Sequence, residues 1–250
     1  VNISSTVDQA LRLLVHLAES PNRTPAELAR ELDMNRTTVH RLLATLHGRG
    51  FVHRVDGAAV YSIGSTVLRI AESVGPDIRA ISHHVIEDLS ERTGETVLVF
   101  VPEFGGRRPQ AIAVDQVETR THVVRVEFPV GHRIPLHRGA AGLVILAHAD
   151  PRIVTAALAD GLETDGLDPD GLDPDTIRST LAAIRDRGYA TTHDELMHDV
   201  AGIAAPVLDR AGRPVASVSV VAPSSRADRL DAMVGDLVTA VRTIADLLGS

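Results

Sequence analysis

The stretch TPAELARELDMNRTTVHRLLATLHGRG, residues 24–50, leaves the backbone few choices. It predicts two short helices joined by the tight turn Asp33-Met34-Asn35. Thr24 can cap the first helix, Pro25 suits its first position, and Glu27 completes a capping box. Leu28, Ala29 and Leu32 then face inward. Asn35 is an N-cap for the second helix, where Val39, Leu42, Leu43 and Leu46 recur at i, i+3, i+4 and i+7. Upstream, Val7, Leu11, Leu14, Val15 and Ala18 are read as the inward stripe of a longer helix ending near Ser20-Pro21. Together these have helix-turn-helix dimensions.

The outer face of the third helix carries the functional information. At about 100° per residue, Thr37, Arg41 and Ala44 lie opposite the apolar stripe. Thr38 and Thr45 flank them on one side, His40 on the other, and Arg36 occupies the first turn. No Asp or Glu occurs between Met34 and Val55, whereas a merely solvated face usually mixes both signs. Such a face can approach phosphates, and its small side chains let the backbone come near base edges. Then FVHRVDGAAVYSIG follows: Phe51, Val52 and Val55, the turn signal Asp56-Gly57, then Val60, Tyr61 and Ile63. Three helices and a hairpin make a winged helix-turn-helix, with Arg54 near the wing tip within reach of backbone or minor groove. The candidate DNA contacts are therefore Asn35, Arg36, Thr37, Thr38, His40, Arg41, Thr45 and Arg54. Arg36 and Arg41 are read as phosphate anchors before base readers, because most protein–DNA hydrogen bonds go to the backbone. A three-helix module for protein contacts is the competing reading; motif, face and wing together favour double-stranded operator DNA.

A net charge of −8 argues against nucleic acid only until it is divided. Residues 1–75 hold eight arginines against seven acidic residues, and the remainder holds 17 against 26. A near-neutral head thus precedes an acidic body. All 25 basic residues are arginine, and the chain has no cysteine, which excludes disulfides, thiolate metal sites and cysteine nucleophiles. The opening VNISSTVDQA lacks a signal-peptide pattern and no run is long enough to span a membrane, so a cytoplasmic location without membrane partners is expected.

Gly75-Pro76 marks a boundary. Expected units are a DNA-binding domain over 1–64, a linker helix over 65–76 and a second domain over 77–250. In the latter, Asp77 to Thr93 reads as a helix with Ile81, Val85, Ile86 and Leu89 inward. ETVLVFV, AIAVDQVE and HVVRVE read as strands, a helix starts near Gly139, and another runs from Asp175 to Arg187. GIAAPVL and PVASVSVV are strands joined by the turn DRAGRP, and a last helix covers about Asp228 to Leu248. This is an α+β domain with a mostly antiparallel sheet. The repeat DGLETDGLDPDGLDPD, residues 160–175, lacks the EF-hand ligand order and is read as a solvated acidic loop.

The motifs STVDQALRLLVHLAE, TPAELARELDMNRTTVHRLLATLHGRGFV and YSIGSTVLRIAES resemble the IclR family of bacterial transcriptional regulators. The resemblance continues through VIEDLSERTGETVLVFV, GHRIPLHRGAAGLVILA, IRDRGYATTHDE and GIAAPVLDRAGRPVASVSV. It implies a GAF-like effector-binding domain and head-to-head homodimers, often assembled into tetramers. It also implies a pocket for small-molecule effectors, often carboxylates, at Gly139, Ala140 and Ser219. Thr192, Gly202 and Val221 depart from the acid, cysteine and second serine that acid-sensing relatives can carry, which implies a roomier, less polar pocket and a larger, aromatic acid. Independently, Ser217 and Ser219 are two apart in a strand and share a face. Gly139 and Ala140 open a helix, where free N–H groups attract anions. A locally bonded strand serine competes with a ligand role for Ser219.

Catalysis finds little support. There is no G-x-S-x-G, no phosphate-cradling glycine loop and no H-E-x-x-H, so no catalytic residue and no cofactor is expected. His193, Asp194, Glu195 and His198 form the densest polar cluster, but the i, i+5 histidines do not share a helical face, and loop histidines are preferred over a metal site. A small-molecule enzyme with an accessory helix-turn-helix is the alternative.

Overall fold

The computed structural model describes residues 4–55, 59–71, 78–105, 108–159 and 173–249. Backbone contacts divide the chain into two compact units, Val1–Pro76 and Asp77–Ser250.

The first unit contains α1 (Ser5–Glu19), α2 (Pro25–Glu31), α3 (Arg36–Gly48), the hairpin β1 (Val52–Arg54) and β2 (Tyr61–Ile63), and α4 (Thr66–Ala71). The capping box forms as the residues require. The Glu27 N–H donates to Thr24 Oγ1 at 3.2 Å and the Thr24 N–H donates to Glu27 Oε2 at 2.8 Å. α3 stops at Gly50, whose φ of +74° is the left-handed C-terminal signal; the Gly50 N–H bonds to His47 O and the Phe51 N–H to Leu46 O. Arg23 pairs with Tyr61 in an antiparallel bridge and adds a third edge to the wing. The core joins Leu13 and Leu17 of α1 to Leu28, Val39, Leu42, Leu43 and Val52.

One expectation fails here. Val7, Leu11 and Val15 are exposed, as is Ala18, while the inward stripe is Ala10, Leu13, Leu14 and Leu17. α1 is apolar on two faces, and periodicity could not choose between them. The turn Asp56-Gly57 lies outside the described residues, and the expected linker helix is described only as α4.

The second unit runs α5 (Ile78–Thr93), β3 (Thr96–Glu103), β4 (Gln110–Val117), β5 (Arg133–Pro135), α6 (Gly139–His148), α7 (Pro151–Leu158), α8 (Pro174–Arg187), β6 (Ala190–His193), β7 (Val200–Leu208), β8 (Pro214–Pro223), a 3-10 helix (Ser224–Met233) and α9 (Val234–Gly249). Its sheet has the order β5-β4-β3-β8-β7-β6, and every pairing is antiparallel. Alternation along β3 splits the core in two. Val97 and Val99 meet α5 and α9, while Leu98 and Phe100 meet α6 and α8. α6 is apolar all round and buried from Gly139 to Ala147. Its first turn reaches both sheet edges. The Ala140 N–H donates to Thr192 on β6, and Gly142 lies so close to β5 that an added Cβ would stand 2.5 Å from Pro135 O.

Two further expectations are corrected. HVVRVE is not a strand: Val123 is 95% exposed, and the Phe128 N–H donates to the Gln116 side chain at 2.9 Å rather than to a ladder. The edge of β4 is taken instead by β5, which pattern alone did not reveal, as it did not reveal α7 and β6. The segment expected to open the last helix is 3-10 up to Met233, held by Ser224, whose N–H donates to Asp199 O, and by Arg226, which makes a bidentate pair with buried Glu95 at 2.5 and 2.7 Å. Of the acidic repeat, residues 160–172 lie outside the described residues.

Candidate functional site

Two faces carry the sequence-predicted residues, one in each unit. On α3, the cap turns the helix start outward: Asn35 Oδ1 accepts from the Thr37 N–H at 2.8 Å. With Val39 and Leu43 anchored in the core, Arg36, Thr37, His40, Arg41, Ala44 and Thr45 are all exposed and Thr38 is half-buried. Thr45 donates its hydroxyl to Arg41 O at 2.9 Å, which leaves its oxygen as an acceptor. Arg54 is exposed on β1 opposite Tyr61. The face predicted to meet DNA is therefore open within its own unit, and it carries arginine without acid.

In the second unit, strand register assembles the other group. Thr192 pairs with Gly202, Gly202 with Val221, and Val221 with Thr96, so these four form one row across the sheet. The next row is Ala190, Ala204, Ser219 and Leu98, and the one beyond holds Pro206, Ser217 and Phe100. Ala204, Leu98, Phe100 and Val221 belong to the core that α6 covers, so Ser217 and Ser219 look toward α6 as well. Gly202 is not forced by crowding, since an added Cβ would meet Val221 Cγ1 at 3.5 Å and Ser219 Oγ at 3.9 Å. It leaves a gap of methyl size beside Val221. Ser219 donates to Ile203 O at 3.2 Å. Ser217 is fully buried and its Oγ has no hydrogen-bond partner; an unpaired buried hydroxyl costs about 1–3 kcal/mol.

The start of α6 differs from expectation. Its N–H groups at Gly139 and Ala140 are not free: Gly139 donates to Glu195 Oε2 at 3.3 Å and Ala140 to Thr192 Oγ1 at 3.1 Å. Glu195, grouped in the sequence with possible metal ligands, acts instead as a carboxylate tethered to a helix N-terminus. Desolvation pushes its carboxyl above the usual range, although the Gly139 N–H, Arg138 and His193 pull the other way. Leu196 packs over Gly139, whose φ is +69°. Arg138 is buried at this helix start and was missed by sequence reasoning, because an arginine in the loop PLHRG carries no periodic signal. Burial and the neighbouring charges of Arg138 and Arg108 lower His137. His193 and His198 are exposed, and among the described residues no three His, Asp or Glu side chains are grouped to hold a metal ion. Among the same residues no helix is long and apolar enough to cross a membrane.

Comparison with known proteins accords with this division. Residues 6–56 match the model of the IclR helix-turn-helix domain, and residues 72–248 match that of the bacterial transcriptional regulator IclR C-terminal domain. The chain is 31% identical over 225 residues to the transcriptional repressor IclR of Escherichia coli, covering 88% of this chain and 81% of that protein. It is 32% identical over 244 residues to the HTH-type transcriptional regulator BhcR of Paracoccus denitrificans, covering 96% and 85%. Its fold is similar, with a TM-score of 0.81, to a crystal structure of an IclR homolog complexed with 4-hydroxybenzoate from Microbacterium hydrocarbonoxydans, at 22% identity and covering 98% and 99% of the two chains.

Proposed function

The chain belongs to the IclR family of bacterial transcriptional regulators, and on that premise we propose that α3 enters the major groove of operator DNA and that the α6–sheet face of the second unit binds an organic acid that modulates this. It is a DNA-binding regulator with an effector-binding C-terminal domain, not an enzyme. The observation that carries the DNA reading is the exposed, acid-free face of Thr37, Arg41 and Ala44, fixed outward by the buried stripe on the opposite side. Arg36 and Arg41 contact phosphate or base edges, Thr37, Thr38, His40 and Thr45 line the groove, Asn35 sets the angle of entry, and Arg54 follows the backbone from the wing. Work on chromosomal DNA puts the protein in the cytoplasm.

Effector binding at Gly139, Ala140, Thr192, Gly202, Ser217, Ser219 and Val221 is supported by register, which brings the strand residues onto one face below α6. Buried Arg138, the cation at this end of α6, favours an acid. The gap beside Gly202 and Val221 favours a larger one, and the aromatic acid held by the Microbacterium protein is the first to try. The DNA-binding domain spans 1–64 and the sensor 77–250, with the linker 65–76 transmitting the change.

Paired half-sites require at least a homodimer, extended to a dimer of dimers where two operators are bridged. The exposed stripe Val7, Leu11 and Val15 of α1 is the apolar surface that such pairing would cover.

Selection of bound duplexes from a random pool, followed by fluorescence anisotropy across a salt series, tests the reading. Log affinity should fall linearly with log salt, by about 0.9 per phosphate contact. Arg41→Ala should weaken binding by about 1–3 kcal/mol if Arg41 reads a base, or lower the slope by about one if it holds a phosphate. Selection of no duplex removes α3 from the interface, and an unchanged Arg41→Ala isotherm removes Arg41 from the contacts.

A further inference from the structure

Among the described residues, the Ser217 hydroxyl is the buried side-chain polar atom without a partner. Its neighbours on the α6-facing side explain why. Across the ladders it is flanked by Phe100 and Pro206, whose side chains have no polar atom, while Ser219 has already spent its proton on Ile203 O. Gly202, Ala204, Ser217 and Ser219 make β7 and β8 a lane of small side chains under α6. An alanine at 217 would fill nearly the same volume without a stranded hydroxyl, so packing does not call for serine there.

We propose that Ser217 is the specificity-determining residue of the effector site, and that its hydroxyl bonds to a hydroxyl or oxo oxygen that the ligand carries in addition to its carboxylate. The inference rests on the effector reading given above. The carboxylate end belongs beside buried Arg138 and the row Thr192, Gly202 and Val221, since Glu195 and Thr192 already hold the first N–H groups of α6. Ser217 lies four residue steps along β8 from Val221 of that row, about 13 Å of strand. The effector is therefore an extended hydroxylated acid rather than a two- or three-carbon one. A site built to bond a polar group discriminates against the analogue lacking it, because its own buried group is then left unpaired.

The test uses matched acids on the full chain by isothermal titration calorimetry: benzoate with 4-hydroxybenzoate, cinnamate with 4-hydroxycinnamate, and propionate with pyruvate as the short pair. Wild type should prefer the hydroxylated member of at least one extended pair by about tenfold or more, and Ser217→Ala should abolish that preference while keeping its affinity for the plain acid. The short pair should show no Ser217-dependent difference. Without ligand, Ser217→Ala should melt no lower than wild type. If both extended acids bind but Ser217→Ala weakens them equally or not at all, the role of Ser217 fails while the effector reading stands. If Ser217→Ala also melts lower, the hydroxyl serves a buried water and the proposal is wrong. If no acid of the set binds wild type, the effector reading fails and takes this inference with it.

Discussion

Gly142→Ala and Gly235→Ala are the same chemical change in two helices, and the structure assigns them opposite signs. At Gly235, near the start of α9, a new Cβ meets nothing within 4 Å, so alanine should stabilise by about 0.5–1 kcal/mol through the lower entropy of the unfolded chain. At Gly142 the same Cβ would stand 2.5 Å from Pro135 O and 3.1 and 3.2 Å from Leu136 Cα and C. All three are backbone atoms, so no side chain can swing away. Restoring a 3.4 Å contact to the oxygen needs a shift of about 0.9 Å between α6 and β5. Overpacking of this kind costs about 1–3 kcal/mol, and three backbone contacts place it near the upper end. After subtracting the gain in helix propensity, a net loss of about 2 kcal/mol remains. With a urea slope near 2 kcal/mol/M, the midpoint should fall by about 1 M for Gly142→Ala and rise by about 0.3 M for Gly235→Ala. Because the shift pulls Ala140 from Thr192, any acid bound by wild type should also bind Gly142→Ala more weakly. Equal midpoints for the two variants would show that α6 does not approach β5 as described, and the account of the α6 start would go with it.

Other expectations are shorter. Thr24→Ala removes the cap of α2 and should cost about 0.5–2 kcal/mol in thermal or urea unfolding, with little loss for Thr24→Ser. Hydrogen bonds from Thr24 lower Glu27, and a hydrogen bond from His16 followed by the charge of Arg23 lowers Glu31. Both carboxylates therefore contribute stability that is present above their ordinary value of 4.5 and lost as pH falls through their depressed values; Glu27→Gln should flatten that acid limb in a pH series of melting curves. Arg226→Met leaves the buried Glu95 carboxylate with only the longer His122 contact at 3.7 Å and should cost about 3–5 kcal/mol, most of it recovered when Glu95→Met is added, as read by a double-mutant cycle. Leu11→Asp should leave the melting temperature of the first unit nearly unchanged, because Leu11 is exposed, while shifting the sedimentation coefficient to that of a smaller species.

Local chemistry made much of the molecule legible. The capping box at Thr24, the Asn35 cap, the buried face of α3 and the antiparallel pair β7–β8 all follow from interactions within a few residues, so their signals survive in the order of the amino acids. The outward residues of α3 were readable for the same reason: helix geometry ties Thr37 and Arg41 to the side opposite Val39 and Leu43 whatever the rest of the chain does. Signals of longer range were missed. HVVRVE has strand composition, but β5 holds the β4 edge, and only the completed sheet shows that the place is taken.

What the sequence alone determined is thus the set of elements whose hydrogen bonds close locally, together with the chemistry of their outward faces. Tertiary structure decided which of two apolar faces of α1 is core, that Glu195 rather than a solvent anion meets the Gly139 N–H, and that Ser217 is buried with nothing to bond. Those outcomes depend on partners dozens of residues away, and burial free energy rewards apolar contact without specifying which distant surface provides it.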